Sequence, residues 1–405
     1  MLPQLLSSRR DVTSGDLIFR LDAAARERAA TGAHVINGTV GALLDDDGRL
    51  VVLNTVMDIW RKLTPAEIAP YSPIVGDPAY LLAFVQKFWP SLSGFGVAAA
   101  SPGGSGALAL SLRNLLEPGQ KLVTADPYWS PYATLAAEAG MGLETVPFPG
   151  AGEALDIGAW EQTLRDVLDE QGRLMLWLNE PCNNPTGRSL SRDDRRTMLA
   201  MLRDISSQGP VTLILDLAYF DYPRDPADTE QAMADYAEFG AEGSVLLGAS
   251  VSLSKSFTIY GARAGALVFP WCDDSALQKA LAGSCRGMWS NCARAPMSVL
   301  KRLAADPAAK AELDTEHAYW RGVLSNRARA LDTALRAEGL PGAAWDGGFF
   351  VMLSGEPDPF QVSDRLQTHD VFVVPTAHGL RTGICGLKTT DAPRFAAAYK
   401  AALMG

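Results

Sequence analysis

The chain has 405 residues, of which 47% are hydrophobic and 20% are charged, so it can bury a large core and is expected to form about two domains. Its 36 basic and 46 acidic residues give a net charge of -10 without a strong basic cluster, which argues against binding to nucleic acid or an anionic membrane. No apolar run approaches the roughly 20 residues of a membrane helix, and Met1–Arg10 lacks the apolar core of a secretory signal. We therefore expect a cytoplasmic globular protein. The scattered cysteines and histidines predict neither a disulfide framework nor a metal site.

Seven short apolar runs between residues 96 and 270 read as strands. They are Val97–Ala100, Lys121–Ala125, Leu143–Pro147, Leu174–Leu178, Val211–Leu215, Val245–Leu247 and Ala264–Phe269. Stretches with helical periodicity separate several of them, for instance 107–116 and 191–205. This alternation predicts an α/β fold with a mostly parallel sheet, in which ligands bind beyond the carboxyl ends of the strands.

A second domain is expected from the two ends of the chain. A long helical pattern at about Ala308–Glu338 leads to strand-like runs at Phe349–Leu353 and Val371–Val374, and a last helix begins near Pro393. Val40–Leu53 also reads as short strands around a turn. We therefore expect an N-terminal arm and part of the small domain in 1–55, a large domain in 56–310, and the rest of the small domain in 311–405.

Polar motifs follow three of the predicted strands. Pro102-Gly103-Gly104-Ser105 opens a helix, which suits an anion held by backbone N–H groups but also a plain strand-to-helix turn. Asn184 lies in a proline-punctuated turn after Leu174–Leu178. Asp216 ends the next buried strand, where a carboxylate either meets a cationic partner or caps the following turn.

A fourth motif, Ser252-Leu253-Ser254-Lys255, is followed eight residues later by Arg263. An ε-amine becomes nucleophilic when its pKa is depressed or when it forms a Schiff base, whereas hydroxyls and a guanidinium bind a phosphate dianion. The stretch therefore suits a phosphate-bearing aldehyde, although on its own it also fits a solvated loop.

In order and spacing, these motifs resemble the pyridoxal-phosphate enzymes of the aspartate aminotransferase superfamily, of fold type I, over essentially the whole chain. The resemblance rests on the glycine loop, Asn184-Pro185-Thr186-Gly187, Asp216 with Tyr219, Ser252 with Lys255 and Arg263, and Arg381 near the C-terminus. It implies a large domain with a mostly parallel seven-stranded sheet flanked by helices, a smaller α/β domain from both termini, and pyridoxal 5′-phosphate as the cofactor.

The resemblance also implies roles for single residues. Lys255 would bind the cofactor as a Schiff base and then move the substrate Cα proton, and Asp216 would keep the pyridine nitrogen protonated. Tyr219, the third expected catalytic residue, would hydrogen-bond the 3′-oxygen. The other implied cofactor contacts are Asn184 at the same oxygen, Trp129 on the ring, and Gly104, Ser105, Ser252 and Arg263 at the phosphate.

Further implied contacts concern the dimer and the substrate. Tyr71 matches a tyrosine that reaches the phosphate in the neighbouring subunit, which implies a homodimer with shared active sites; alternatively it is a loop tyrosine packed on Pro73. Arg381 resembles the arginine that grips the substrate α-carboxylate, and Gly41 falls where the backbone approaches the substrate. Asn184 and Trp129 are expected to contact the substrate as well.

The substrate is less well specified. Arg286, four residues before Ser290, resembles the arginine that binds the distal carboxylate of aspartate or glutamate across the dimer, although Arg294 competes for this role and Arg286 could be purely structural. Tyr132 and Asn179 depart from the family, since close aspartate aminotransferases carry supporting histidines there. The side chains that hydrogen-bond Asp216, and with them the identity of the substrate, therefore stay open.

These features predict a homodimeric, cytoplasmic aminotransferase of amino-acid metabolism. It would pass the amino group of aspartate, glutamate or an aromatic amino acid to a 2-oxo acid such as 2-oxoglutarate, through pyridoxamine phosphate. Lyase or decarboxylase chemistry on the same fold is an alternative that Arg381 and Arg286 disfavour. A non-catalytic, cofactor-binding regulator is a third possibility, although no N-terminal basic helix-turn-helix precedes the fold.

Overall fold

The computed structural model describes residues 17–355 and 358–404 of the chain. Two compact units are distinguished. The sheet unit consists of Ala42–Asn326 and Ala344–Phe350. The terminal unit consists of Met1–Gly41, of which residues 17–41 are described, together with Arg327–Ala343 and Val351–Gly405.

The unit boundaries differ from the domain limits that the sequence suggests after residues 55 and 310. The long helix Pro307–Ala337 runs through the second of these limits without a break, so the change of unit comes later, after Asn326. The expected limits, which also include residues 1–16 outside the described part of the chain, remain predictions.

Strands β1 to β12 follow one another along the described residues. In chain order they are Ile36–Asn37, Val97–Ser101, Lys121–Asp126, Gly142–Pro147, Leu174–Leu178, Val211–Asp216, Leu246–Ser252, Gly265–Phe269, Phe350–Leu353, Val371–Phe372, Val374–Thr376 and Gly379–Gly383.

Helices α1 to α15 connect and cover these strands. In chain order they are Leu17–Ala30, Asn54–Arg61, Pro65–Ile68, Pro78–Phe88, Gly103–Leu115, Pro131–Glu138, Ile157–Gln171, Arg192–Ile205, Pro226–Glu242, Leu253–Ser256, Ser275–Met288, Arg294–Ala305, Pro307–Ala337, Pro359–Gln367 and Ala392–Met404. None of the described helices is both long enough and apolar enough to cross a membrane.

Side-chain caps explain where several helices begin. Asp156 accepts a hydrogen bond from the Ala159 amide at the start of α7, and Ser191 accepts one from the Asp194 amide at the start of α8. These caps satisfy amides that have no partner inside a helix. Gly172 ends α7 in the left-handed conformation, which glycine adopts without steric cost.

The sheet unit contains a seven-stranded sheet within the described residues, in the order β2-β8-β7-β6-β5-β3-β4. All pairs are parallel except those of β8, which runs antiparallel to both of its neighbours. The seven predicted strands and the α/β class are confirmed. β7 extends beyond the prediction to Ser252, because its second half is built of small residues rather than large apolar ones.

The core of this unit lies between the sheet and helices α5, α6 and α11. Strands β2, β5, β6 and β8 are buried along their whole length, as expected for strands covered on both faces. Leu108 of α5 and Leu281 of α11 pack with Trp177, Ile214 and Phe269 of the sheet. This core holds the strand ends in place.

The short strands expected in Val40–Leu53 form only in part. The Val51 amide donates to the Leu43 carbonyl across the expected turn, but the described residues of this segment make one antiparallel bridge, between Leu44 and Leu50. The Leu43 amide donates to the Tyr260 hydroxyl and the Leu53 amide to Thr258 Oγ1, so these donors bond side chains rather than a second strand. In the terminal unit, β1 pairs with β10 in parallel, and β11, β12 and β9 form a three-stranded sheet of described residues.

Candidate active site

A cavity of about 180 Å³ lies at the carboxyl edge of the seven-stranded sheet. β2, β6 and β7 run parallel to one another, so the residues that follow them meet at this edge. β8 runs the other way, and Arg263, two residues before its start, therefore reaches the same edge. The structure brings together at this cavity nine of the residues singled out in the sequence: Gly104, Ser105, Trp129, Asn184, Asp216, Tyr219, Ser252, Lys255 and Arg263.

Lys255 lies on the one-turn helix α10, directly after β7. The Ser252 hydroxyl caps this helix by accepting a hydrogen bond from the Ser254 amide at 3.1 Å. The Tyr222 hydroxyl donates to the Lys255 carbonyl oxygen over 3.1 Å, which fixes the backbone on the other side. The Lys255 ammonium lies 5.4 Å from the centroid of the Tyr219 ring, an attractive cation–π distance. The amine is thus held at the cavity by a rigid backbone.

The carboxylate of Asp216 is buried at the end of β6. Tyr132 donates a hydrogen bond to Oδ2 over 2.7 Å, and the Ala218 amide donates to Oδ1 over 3.3 Å. Burial raises the pKa of Asp216, while the Tyr132 hydrogen bond and the positive charge of Lys255 act in the opposite direction. A cation that entered the cavity beside Asp216 would favour its charged form.

Asn184 and Tyr219 form a polar pair in the same cavity. The Asn184 amide nitrogen donates to the Tyr219 hydroxyl over 3.3 Å, and the buried Oδ1 of Asn184 has no hydrogen-bond partner among the described residues. The Asn179 side chain fixes this arrangement, since it accepts from the Asn184 amide at 2.6 Å and donates to the Asp216 carbonyl at 2.8 Å. A buried amide left with an unused oxygen is suited to a polar ligand group.

The opposite part of the cavity is suited to an anion. Gly104 and Ser105 lie in the first turn of the 13-residue helix α5, where backbone amides and the helix dipole attract negative charge. Arg263 donates to Ser254 Oγ at 3.3 Å and to the Pro102 carbonyl at 3.2 Å, which holds its guanidinium next to this turn. These donors match those of a phosphate-binding site.

Gly103 allows this close approach. Its φ of +75° favours glycine, and a Cβ there would lie 2.9 Å from Arg263 Cζ. Any side chain would therefore push the guanidinium away from the turn.

Trp129 lines the cavity and packs edge-on against Tyr132, with ring centroids 5.7 Å apart. Four further residues line the cavity: Asn179, Ala218, Ser254 and Tyr260. Ser254 lies inside the motif that contains Lys255, so its place in the motif could have indicated its position. Tyr260 has no such signal, because its hydroxyl binds the Leu43 amide from a distant segment.

Tyr71 and Arg286, which the sequence also singles out, are not among the residues that line this cavity. Tyr71 is 89% exposed, and the Arg294 guanidinium donates to its carbonyl oxygen over 3.3 Å. Arg286 is exposed at the end of α11 and donates to Ser290 Oγ over 2.6 Å.

Two predicted substrate contacts belong to the terminal unit. Arg381 is buried in β12 and donates to the carbonyl oxygen of Thr39. Gly41 is the last residue of the N-terminal segment of this unit, two residues beyond Thr39.

Known proteins share both the sequence pattern and the fold. The family profile "Aminotransferase class I and II" matches residues 33–398. The aromatic-amino-acid aminotransferase of Pseudomonas aeruginosa is 29% identical over 315 residues, which cover 74% of each chain.

Two solved structures extend the comparison. An aminotransferase from Anaerococcus prevotii superposes with a TM-score of 0.90 at 27% identity, covering 100% of this chain and 99% of the other. The aromatic-amino-acid aminotransferase of Burkholderia pseudomallei, which was solved covalently bound to pyridoxal phosphate, superposes with a TM-score of 0.80 at 24% identity, covering 98% of this chain and 100% of the other.

Proposed function

The chain belongs to the aminotransferases of class I and II, and on this premise we propose which of its residues hold the cofactor and the substrate. The enzyme is an amino-acid aminotransferase that depends on pyridoxal 5′-phosphate. When bound, this cofactor acts as an electron sink, which lets an amino group pass from an amino acid to a 2-oxo acid. The observation that carries the proposal is the meeting of Lys255, Asp216 and Arg263 at one cavity.

The donors and acceptors of the cavity fit this cofactor. Arg263, the first turn of α5 and the hydroxyls of Ser105 and Ser252 would hold the phosphate. The carboxylate of Asp216 would pair with the pyridine nitrogen. The Asn184 amide and the Tyr219 hydroxyl would hold the 3′-oxygen, and Trp129 would cover the ring. Together these groups would account for the phosphate, the pyridine nitrogen, the 3′-oxygen and the ring face of the cofactor.

Lys255 has the central role in this proposal. Its Nζ holds the cofactor and, once a substrate is present, moves the proton of the substrate Cα. The fixed backbone of α10, between the Ser252 cap and the Tyr222 hydroxyl, limits the positions that the amine can reach. Such preorganisation lowers the entropy cost of the proton transfer.

Substitution of the lysine tests this role. Lys255→Ala is expected to lose the visible absorbance of the reconstituted protein and nearly all transaminase activity, because Lys255 is the one lysine among the described residues that line the cavity. The exposed Lys310→Ala serves as the control and should keep both. The assay supplies each amino acid in turn and measures the intact 2-oxo acid. An unchanged spectrum in Lys255→Ala would remove this residue from its role.

The substrate carboxylates are proposed to meet two arginines. Arg381 binds the α-carboxylate, for which its planar guanidinium is suited, beside the backbone at Gly41. Arg286 binds a distal carboxylate across a homodimer, since it is exposed and, among the described residues, its guanidinium donates to the Ser290 hydroxyl rather than to a carboxylate. Together they favour aspartate or glutamate as the donor, with aromatic amino acids accepted as in the Pseudomonas aeruginosa relative. The acceptor is a 2-oxo acid such as 2-oxoglutarate.

The role of Arg286 predicts a selective loss. In Arg286→Ala, kcat/KM for aspartate and glutamate should fall about tenfold to a hundredfold, the usual worth of a hydrogen-bonded charge pair, while phenylalanine should change little. Arg294→Ala is the matched comparison, because Arg294 is the other candidate. Equal losses for all three amino acids, or a selective loss in Arg294→Ala instead, would reject Arg286.

We also propose a homodimer in which Tyr71 contacts the phosphate bound in the partner subunit. The support is the exposure of this tyrosine outside the cavity, together with family membership. A cytoplasmic location remains a prediction, which fractionation of cells would test.

A further inference from the structure

The buried carboxylate of Asp216 receives its shortest hydrogen bond from a tyrosine that the proposed chemistry does not use. Tyr132, in the first turn of α6, donates to Asp216 Oδ2 over 2.7 Å, and its side chain is fully buried. Within the described part of the chain, Oδ1 receives a longer bond of 3.3 Å, from the Ala218 amide. The Tyr132 hydroxyl thus binds Oδ2 of Asp216 closely, whereas Oδ1 accepts a longer and weaker hydrogen bond.

The fold keeps the Tyr132 hydroxyl in this position. Its ring packs edge-on against Trp129 and against Trp177, with centroids 5.7 and 5.1 Å away. Trp177 is itself anchored, because its indole nitrogen donates to Ser111 Oγ over 3.1 Å. Burial raises the pKa of Tyr132 well above its ordinary value, so the hydroxyl remains a donor. It therefore does not compete with Asp216 for a negative charge.

We propose that Tyr132 is a positioning residue which, by hydrogen-bonding Asp216, keeps the ring nitrogen of the bound cofactor protonated. A donor stabilises a charged carboxylate more than a neutral acid, and the charged form is the one that pairs with a protonated nitrogen. Without the Tyr132 hydroxyl, the proton that lies between the ring nitrogen and Asp216 would shift from the nitrogen toward the carboxylate. No other reactant takes part. The inference rests on the proposed role of Asp216.

A purely structural role of Tyr132 would give a different experimental result. Tyr132 also fills the core between Trp129 and Trp177, and its ring alone would do this. Removal of the hydroxyl would then alter the free energy of unfolding but leave the proton on the ring nitrogen where it was. The protonation state of that nitrogen is therefore the deciding observable.

The experiment uses Tyr132→Phe, which removes one oxygen and keeps the ring. The full-length protein is reconstituted with pyridoxal 5′-phosphate labelled with nitrogen-15 in the ring, and its chemical shift is measured by NMR. We expect the signal to move toward that of neutral pyridine, which corresponds to a change of about tenfold to a hundredfold in the proton-transfer equilibrium. Tyr128→Phe is the matched control, because its ring lies parallel to that of Tyr132 at 6.4 Å, and it should leave the signal unchanged.

A double variant separates the path through Asp216 from a general disturbance. In an Asp216→Asn background, Tyr132→Phe should cause no further shift, because the carboxylate through which it acts is gone. This variant also removes the buried charge that Tyr132→Phe alone would leave without its shorter hydrogen bond, so it stays informative if the single variant folds poorly. The inference is overturned if Tyr132→Phe keeps the parent signal, if Tyr128→Phe shifts it equally, or if the two changes add. Failure of the proposed function would show earlier, as a parent protein that retains no labelled cofactor.

Discussion

At the scale of single residues, Glu180 stands out because its carboxyl group is completely buried next to Asn179 of the cavity. Of the described residues, Arg195 is the cation paired with it: its guanidinium lies 4.0 Å from Oε1 but donates to Asp235 at 2.9 Å. Oε1 has no hydrogen-bond partner among the described residues. Burial raises the pKa of Glu180 to about 8, so the folded protein holds this acid neutral at pH 7.

This acid should make the folded protein less stable as the pH rises. The unfolded chain loses the Glu180 proton near pH 4.5 and the folded chain near pH 8, so the free energy of unfolding falls between these values by up to about 1.4 kcal/mol per pH unit. Glu180→Gln abolishes the proton release on unfolding. Its stability relative to the parent should therefore rise across this range, as measured by urea unfolding at several pH values. The exposed Glu117→Gln is the control, and parallel pH curves for Glu180→Gln and the parent would contradict the prediction.

At the scale of elements, the centre of the sheet is packed closely at β7. Gly248 faces Phe269 of β8 and Ile214 of β6, and a Cβ at this position would lie 2.5 Å from Phe269 Cε1 and 3.0 Å from Ile214 Cδ1. Both neighbours are buried, so neither can move aside without disturbing the core.

Gly248→Ala should therefore overpack the sheet. We expect the free energy of unfolding to fall by about 1–3 kcal/mol, the usual cost of an extra group in a filled core. Gly322→Ala in α13 is the matched control, since a Cβ there meets nothing within 4 Å and should raise stability by up to about 1 kcal/mol. Urea unfolding measures both. An unchanged midpoint for Gly248→Ala would show that β6 and β8 can separate at this point.

The strands also show which parts of the fold could be predicted from the sequence. The strands of the large sheet could be predicted because they are buried on both faces and read as continuous apolar runs, as in Leu174–Leu178. The strands expected at Val40–Leu53 shorten to one bridge, between Leu44 and Leu50, because the amides of Leu43 and Leu53 donate to the hydroxyls of Tyr260 and Thr258. The sequence around residues 40–53 contains no pattern that indicates these distant hydrogen-bond partners.

In the candidate site too, contacts between residues far apart in the chain could not be predicted from the sequence. Asn184, Asp216 and Lys255 lie in recognisable motifs at strand ends, and the structure brings them to one cavity. The bond between Tyr132 and Asp216 joins residues 84 positions apart, from a helix to a strand end. The sequence marked Tyr132 as a departure from the family, but only the packing of α6 shows that its hydroxyl meets Asp216.

At the scale of the whole molecule, the proposed homodimer can be tested by mass and by mixing. Sedimentation should give twice the 43.3 kDa of one chain.

Mixing two inactive variants tests whether Tyr71 acts across the dimer. Lys255→Ala and Tyr71→Ala should each lose activity, the second mainly because it binds the cofactor less tightly. If Tyr71 acts across the dimer, a mixture of the two variants should regain activity, because one site of each mixed dimer then holds Lys255 and the partner subunit's Tyr71. A mixture that stays as weak as its components would place Tyr71 in its own subunit's site or outside the site altogether.

The antiparallel strand β8 has a consequence for how the protein is made. Among the described strands, β2 lies at the edge of the sheet and has β8 as its one neighbour, so Val97 cannot pair with Phe269 until the latter has emerged from the ribosome. Closing such a long loop is entropically costly, and contacts between distant segments slow folding. Until then the first turn of α5 also lacks Arg263, which belongs to the same late segment. A nascent chain that stalls before β8 should therefore expose the unpaired edge of β2 to chaperones or to aggregation.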